Sequence, residues 1–175
     1  RTFNPPALFP MDSLNPELSH LDEKGLPKMV DVSAKPQTNR TAEAEAVVIF
    51  PEDAWAKLAN NGFTTKKGAI FDVAIIAGTM ALKRTSETIP FCHTIPIDGS
   101  SISITPDEGR RAMVVRCSVK TTARTGVEME AMTGASAAGL TIYDMTKSLG
   151  LGIEMRSVRL ISKTGGKSDF KSKDD

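Results

Sequence analysis

Asp144 and Lys147 are the first pair of side chains in this sequence that suggests chemistry. They stand three residues apart in a segment predicted to be helical, so both project from one face and can share a proton or an ion pair. The segment is almost entirely small or apolar, which predicts that Lys147 gives up its charge more easily than an exposed lysine would. An ordinary solvated ion pair satisfies the same spacing, and the residues alone leave both interpretations open.

Glu128 and Glu130 flank Met129 just before that helical segment. In extended backbone the two carboxylates would project to one side. There they could hold the amino and ring N–H groups of a guanine-like base. Acidic residues at this place also compensate the dipole of a following helix, so binding and helix stabilisation are equally natural interpretations.

His93 follows Phe91 and Cys92 in a segment that Pro90 predicts to be a loop. A loop histidine is a good general acid, general base or phosphate donor. A Cys-His nucleophile is not favoured, because neighbours in an extended segment point apart, and a zinc site would need two further ligands that no spacing supplies. We interpret Cys92 and Cys117 as packing residues and predict no metal site.

Two lysine-containing segments with glycine, residues 66–68 and 163–167, are candidates for binding phosphate. Their amines stand on turns whose backbone N–H groups can join them around an anion. Neither segment has the spacing of a Walker loop, and each taken alone is typical of a solubilising loop. Together the two segments suggest a local binding site for a small polyanion.

The composition excludes several partners. The 175 residues include 22 Lys and Arg against 21 Asp and Glu, a formal net charge of +1, so no basic field exists to hold nucleic acid or an anionic membrane. The longest nearly uncharged apolar stretch, Val73–Leu82, is about half of a bilayer span. Two cysteines are too few for a disulfide framework or a cysteine-bound iron–sulfur cluster, and they indicate a cytoplasmic setting.

The pattern of apolar residues, prolines and glycines predicts helices and antiparallel strands. The expected elements are a strand over Glu45–Phe50, a helix from Pro51 to Asn60, a helix over Asp72–Glu87, a hairpin of Ser101–Thr105 with Ala112–Thr121, a helix over Met129–Leu149 and a last strand over Val158–Ser162. This order predicts an α+β fold with helices packed on one face of an antiparallel sheet.

Composition and apolar patterning divide the chain into three parts. Residues 1–28 contain five of the ten prolines and no pattern that could bury a face, so they are predicted to be a mobile arm. Within the arm, residues 1–10 are interpreted as an addition before a native start at Met11. Residues 29–166 are expected to form the single catalytic domain, and residues 167–175 a flexible tail.

Six motifs, in order and without large gaps, make the sequence resemble a known family. They are Met29-Val30-Asp31-Val32-Ser33, Lys67-Gly68, Lys83-Arg84-Thr85 with Ile89-Pro90-Phe91-Cys92-His93, Thr125-Gly126-Val127-Glu128-Met129-Glu130-Ala131, Leu140-Thr141-Ile142-Tyr143-Asp144-Met145 with Lys147, and Lys163 before Gly165-Gly166-Lys167-Ser168. Over residues 29–168 the chain resembles the molybdenum cofactor biosynthesis protein C family, the cyclic pyranopterin monophosphate synthases.

The resemblance implies a ferredoxin-like fold, a homohexamer built as a trimer of dimers, and pockets at dimer interfaces. The implied reaction converts 3′,8-cyclo-7,8-dihydroguanosine 5′-triphosphate into cyclic pyranopterin monophosphate and releases pyrophosphate. An upstream radical enzyme would supply the substrate, and no cofactor or molybdenum would be bound.

The resemblance also implies roles for ten residues. Asp144, Lys67 and Lys147 match the catalytic positions. Substrate-binding positions are matched by Phe91, Cys92, His93, Glu128, Met129, Glu130 and Lys163. Phe91 stands where many relatives have leucine, an apolar exchange that leaves the chemistry unaffected.

Two further expectations follow from the placement of these residues. One small sheet can hardly aim all of them at one ligand, so we expect a site shared across a subunit boundary, with Lys67 and Lys147 contributed by different chains. The alternative to catalysis is a non-catalytic oligomer that binds a guanine nucleotide through the same lysines and glutamates.

Overall fold

Five antiparallel strands form the main sheet of the computed structural model, which describes residues 26–173. The strands lie in the order β4-β5-β1-β6-β7, and a separate two-stranded hairpin is formed by β2 and β3. In chain order the elements are β1 Thr38–Ile49, α1 Glu52–Asn60, β2 Thr64–Thr65, β3 Gly68–Ala69, α2 Ile70–Leu82, α3 Thr85–Thr88, β4 Gly99–Asp107, β5 Ala112–Ala123, α4 Glu128–Thr146, a 3-10 turn Lys147–Leu149, β6 Glu154–Thr164 and β7 Phe170–Lys171.

The hydrophobic core lies between one face of this sheet and the helices. Alternate residues of β1 are buried there, among them Ala46 and Val48, and α4 packs across β1, β5 and β6. Helices α2 and α4 approach each other at glycine: a Cβ atom added to Gly78 would lie 2.7 Å from the carbonyl oxygen of Gly134. The predicted α+β fold, an antiparallel sheet with helices packed against it, is therefore confirmed.

The second helix ends earlier than the pattern predicts. The apolar spacing predicts a helix over Asp72–Glu87, but α2 stops at Leu82 and the single turn α3 follows. The Thr85 hydroxyl, which is buried, donates a hydrogen bond of 3.0 Å to the Leu82 carbonyl. A local side-chain bond therefore takes up a carbonyl that a longer helix would have used.

In the main sheet, four strands, β1, β4, β5 and β6, are longer than predicted, and one further strand was not predicted. β1 starts seven residues before Glu45, because its polar first half pairs with β5 on one side and with β6 on the other. The prediction that Val158–Ser162 is the last strand is wrong. β7 pairs with Ser162 and Lys163, and its two residues carry no periodic signal that a sequence pattern could reveal. The arm predicted for residues 1–28 lies almost wholly outside the described residues.

The opposite face of the sheet is polar. Glu45, only 5% exposed, accepts hydrogen bonds from Arg116 at 2.8 Å and Arg159 at 3.1 Å. Beside this network runs a groove of about 580 Å³ lined mainly by hydroxyl and charged side chains, and it includes no predicted site residue.

Over the part of the chain that is described, none of the helices has the length and apolar character to cross a membrane.

Candidate active site

Two lysines from different elements bind one carboxylate at the C-terminal end of α4. Lys67 lies in the turn between β2 and β3, and its Nζ donates to Asp144 Oδ2 at 2.6 Å and to the Asp144 carbonyl at 3.0 Å. Lys147 begins the 3-10 turn after α4, and its Nζ lies 2.7 Å from Asp144 Oδ1. We call these three residues the lysine-carboxylate group.

The electrostatics of this group differ from the expectation for Lys147. Hydrogen bonds from Lys147 and then Lys67 lower the pKa of Asp144 to about 2. The Asp144 carboxylate in turn raises the pKa of Lys147, whose side chain is 58% exposed. The prediction that Lys147 gives up its charge easily is therefore wrong. Ile142 and Met145 face the core, while the Lys147 ammonium group lies in water beside an anion.

A second set of predicted residues meets at the N-terminal end of α4. The Cys92 thiol donates a hydrogen bond of 3.7 Å to Glu130 Oε1, and Glu130 is 3% exposed. Burial, and then the Glu130 charge, raise the pKa of Cys92 to about 11, so the thiol stays protonated near neutral pH. Burial also raises the pKa of Glu130, whose Oε2 has no hydrogen-bond partner among the described residues.

Glu128 and Glu130 separate instead of acting as a pair. Both lie in the first turn of α4, where positions two apart point about 200° away from each other. Glu128 forms an ion pair of 3.0 Å with Lys163 on β6, while Glu130 turns inward to Cys92. The expectation that the two carboxylates project to one side is wrong, because it assumed extended backbone.

Two adjoining cavities lie at this end of the helix. One, of about 350 Å³, is lined by Val30, Val32, Lys35, Phe91, Cys92, His93, Thr125, Gly126 and Lys167. The other, of about 190 Å³, is lined by Arg40, Thr41, Gly126, Glu128, Lys163, Thr164, Gly166, Lys167 and Ser168. Gly126 and Lys167 belong to both. We call the two together the α4 N-terminal cavity, and its cationic side chains suit a phosphorylated ligand.

The loop after β6 brings its glycines against β1. Gly165 has φ +84°, and a Cβ atom there would collide with the backbone carbonyl of Asn39. Because of this close approach, Lys167 and Arg40 line the same cavity. The Arg40 guanidinium also donates a hydrogen bond of 3.1 Å to the Ala123 carbonyl. Sequence reasoning missed Arg40, because an arginine inside a strand carries no local signal of a cavity.

The remaining predicted substrate-binding residues, Phe91, Met129 and His93, also lie near this cavity. Phe91 lines it and is 41% exposed, and Met129, 38% exposed, lies between the two glutamates in the first turn of α4. His93 lies in a loop, as expected, and one ring nitrogen is 2.8 Å from the Val30 carbonyl. In residues 26–173 no three His, Cys, Asp or Glu side chains gather closely enough to hold a metal ion.

The lysine-carboxylate group and the α4 N-terminal cavity lie at opposite ends of α4. At 1.5 Å per residue, the sixteen-residue step from Glu128 to Asp144 spans about 24 Å. One chain therefore does not bring all the predicted residues around one ligand. The expectation that Lys67 and Lys147 come from different chains is wrong, because both contact Asp144 of their own chain.

The family model described as MoaC matches residues 29–166, a range that contains the lysine-carboxylate group and all of the α4 N-terminal cavity except Lys167 and Ser168. The chain belongs to the MoaC family. Members with similar sequences bear names that state an activity. A cyclic pyranopterin monophosphate synthase from Xanthomonas oryzae is 51% identical over 162 residues, covering 93% of this chain and 98% of that protein.

Among less similar relatives of this MoaC-family chain, one has the same name and another is a longer protein. A cyclic pyranopterin monophosphate synthase from a Nostoc species is 47% identical over 163 residues, covering 93% of this chain and 94% of the relative. Molybdenum cofactor biosynthesis protein 1 of Dictyostelium discoideum is 44% identical over 171 residues, which is 88% of this chain but only 27% of that protein. In that relative, the matching part is one portion of a longer chain.

Proposed function

We propose that this chain is a cyclic pyranopterin monophosphate synthase acting in molybdenum cofactor biosynthesis. It would convert 3′,8-cyclo-7,8-dihydroguanosine 5′-triphosphate into cyclic pyranopterin monophosphate and release pyrophosphate. The names of relatives that match nearly the whole chain support this assignment. The observation that carries it is the lysine-carboxylate group, because a binding module needs cations but has no need of two lysines aimed at one ionised acid.

The reaction asks for repeated proton transfer and for neutralisation of a leaving group. Opening the purine ring and building a pterin requires acids and bases at fixed positions, which Lys67, Asp144 and Lys147 supply. Closure of the cyclic phosphate expels pyrophosphate, and positive side chains at the leaving oxygens stabilise that charge. Lys163 and Lys167 of the α4 N-terminal cavity are suited to this second task.

We further propose that each active site combines the lysine-carboxylate group of one chain with the α4 N-terminal cavity of another. Neither set reaches the other within one chain. The outward face of α4 favours contact with a second copy, because Met129, Leu140 and Tyr143 are apolar or aromatic and at least 37% exposed. An exposed apolar stripe on a helix is typical of a surface that another molecule covers.

The sequence of α4 is suited to crossing its own copy about a twofold axis. Antiparallel helices related by such an axis place the start of one beside the end of the other. The midpoint between Met129 and Asp144 falls between Ser136 and Ala137, and these small side chains permit a close crossing. Such a dimer would hold two complete sites. A hexamer made of three dimers, and the ferredoxin-like topology, remain proposals drawn from the family resemblance.

The proposed reaction also has consequences for the partners, cofactors and cellular compartment of the chain. The chain has two cysteines, too few for a cysteine-bound iron–sulfur cluster, so an upstream radical enzyme would supply the cyclised nucleotide. No nucleic acid and no membrane takes part, and no bound cofactor or metal is proposed. Cys92 and Cys117 are both free thiols, which suits a reducing cytoplasm.

Turnover of the cyclised dihydro-GTP intermediate tests this function. The wild-type chain should release pyrophosphate, and Lys67→Ala should lower the rate by about 10² to 10⁴, the usual loss for an acid-base group. Lys57→Ala is the control, because Lys57 is an exposed lysine on α1 that belongs to neither candidate group. Tight binding of the intermediate without pyrophosphate release would replace the proposal with the alternative of a non-catalytic nucleotide-binding oligomer.

A further inference from the structure

Two residues of the Met29–Ser33 motif form part of the wall of the α4 N-terminal cavity. Val30 and Val32 line the larger part of that cavity together with His93. The Val30 carbonyl oxygen lies 2.8 Å from Nε2 of the His93 ring. A segment that precedes the first strand therefore contacts directly the one histidine of the cavity.

The chemistry of this contact fixes the proton on the ring. A carbonyl oxygen only accepts hydrogen bonds, so Nε2 of His93 must carry the hydrogen. In a neutral ring the other nitrogen, Nδ1, then holds a free lone pair. Over residues 26–173 no side chain or backbone group forms a hydrogen bond to Nδ1.

We propose that the Val30 carbonyl is a positioning group that holds His93 in the Nε2–H tautomer, so that Nδ1 accepts a proton from the bound substrate. This inference rests on the proposed function for the identity of that substrate. The proton leaves an O–H or N–H group, the electron pair stays on the substrate, and the ring becomes an imidazolium that later returns the proton. In its neutral form, His93 thereby offers Nδ1 as a proton acceptor.

The other groups of the cavity support this assignment. Cys92 keeps its proton near neutral pH because its pKa is raised to about 11. The remaining side chains that line the larger cavity are apolar, hydroxyl or ammonium groups, none of which is a ready base. Asp31 lies close enough to stabilise an imidazolium. Its pKa is lowered, mainly by hydrogen bonds from Ser33 and to a small extent by His93.

Nitrogen NMR of the full-length chain tests the tautomer without any substrate. The chain has two histidines, so His20→Asn leaves His93 as the single labelled ring. At a pH where the ring is neutral, we expect a protonated Nε2, a bare Nδ1, and an Nε2 hydrogen that exchanges slowly with water. A bare Nε2 would overturn the proposal.

A pair of glycine variants tests whether Val30 is responsible. Val30→Gly with Val32→Gly removes the side chains that hold the segment in the cavity and loosens its backbone. We expect the Nε2 hydrogen to exchange rapidly and an Nδ1–H form to appear. Lys28→Gly with Met29→Gly is the control, because both side chains are exposed, and it should keep the wild-type spectrum. Unchanged exchange in the first variant would also overturn the proposal.

Turnover separates this inference from the proposed function. If His93 accepts a proton, the Val30→Gly and Val32→Gly variant should lose kcat more than it raises KM, since the loss is in positioning and not in binding. An unchanged kcat beside an altered tautomer would overturn the role of Nδ1. A wild-type chain with the expected spectrum but no turnover of the cyclised nucleotide would instead refute the proposed function.

Discussion

Mixing two inactive variants tests where the boundary of the active site runs. Lys147→Ala damages the lysine-carboxylate group, and His93→Ala damages the α4 N-terminal cavity at the other end of α4. Each variant alone should lose about 10² to 10⁴ in turnover. If every site takes one group from each of two chains, a mixed dimer has one doubly damaged site and one intact site.

The expected recovery follows from counting these sites. Equal random mixing makes about half of the dimers mixed, and one of the two sites in each is intact, so about one quarter of all sites regain full activity. The control pair is Lys67→Ala with Lys147→Ala. These two lysines contact the same Asp144 within one chain, so every lysine-carboxylate group in the mixture lacks one of them. This pair should stay inactive.

The assay is pyrophosphate release after the two variants are unfolded together and refolded, with exchange of subunits checked by native mass spectrometry. Recovery near one quarter for Lys147→Ala with His93→Ala, and none for the control pair, would support the shared site. Recovery in the control pair would mean that the two lysines act from different chains. If neither pair recovers although exchange is complete, each site lies within one chain.

Three further changes test single residues. Lys147→Arg keeps the ion pair with Asp144 but cannot release a proton, so a nucleotide should still bind in calorimetry while turnover falls by about 10² to 10⁴. Cys92→Ser should keep most activity. Alkylation of Cys92 in the wild-type chain should be slow at pH 7 and accelerate as the pH rises toward 11, because the reactive thiolate forms only there. Rapid alkylation at pH 7 would contradict the argument that burial raises the pKa of this thiol. Gly165→Ala should lower the free energy of unfolding in denaturant titrations by about 1–3 kcal/mol, whereas Gly150→Ala, which meets open space, should not.

Local patterns predicted those parts of the fold that local forces determine. The hairpin of β4 and β5 follows from alternating residues around a short turn, and α4 follows from a long run of small and apolar residues. The end of α2 did not follow, because it depends on the buried hydroxyl of Thr85. β7 did not follow either, since only its pairing with the already formed β6 makes it a strand.

The sequence predicted one contact between candidate site residues but not the surroundings of those residues. Asp144 and Lys147 are adjacent on one helix face, so their contact was foreseeable from spacing alone. The charge state of Lys147 was not, because its raised pKa depends mainly on the hydrogen bond to the ionised Asp144 carboxylate, whereas the prediction of easy charge loss rested on the apolar character of the segment. The separation of Glu128 from Glu130 follows from helical backbone that begins at Glu128, one residue before the predicted start at Met129, whereas the expected geometry assumed extended backbone.

If each active site is shared between two chains as proposed, the length of helix α4 fixes the distance between the two parts of the site. Each inserted or deleted residue between Met129 and Asp144 would move one end relative to the other by about 1.5 Å and rotate it by about 100°. In a twofold dimer that error would occur in both sites at once, and no change elsewhere in the chain could correct it. The proposed shared site therefore predicts that α4 tolerates substitutions but not insertions or deletions.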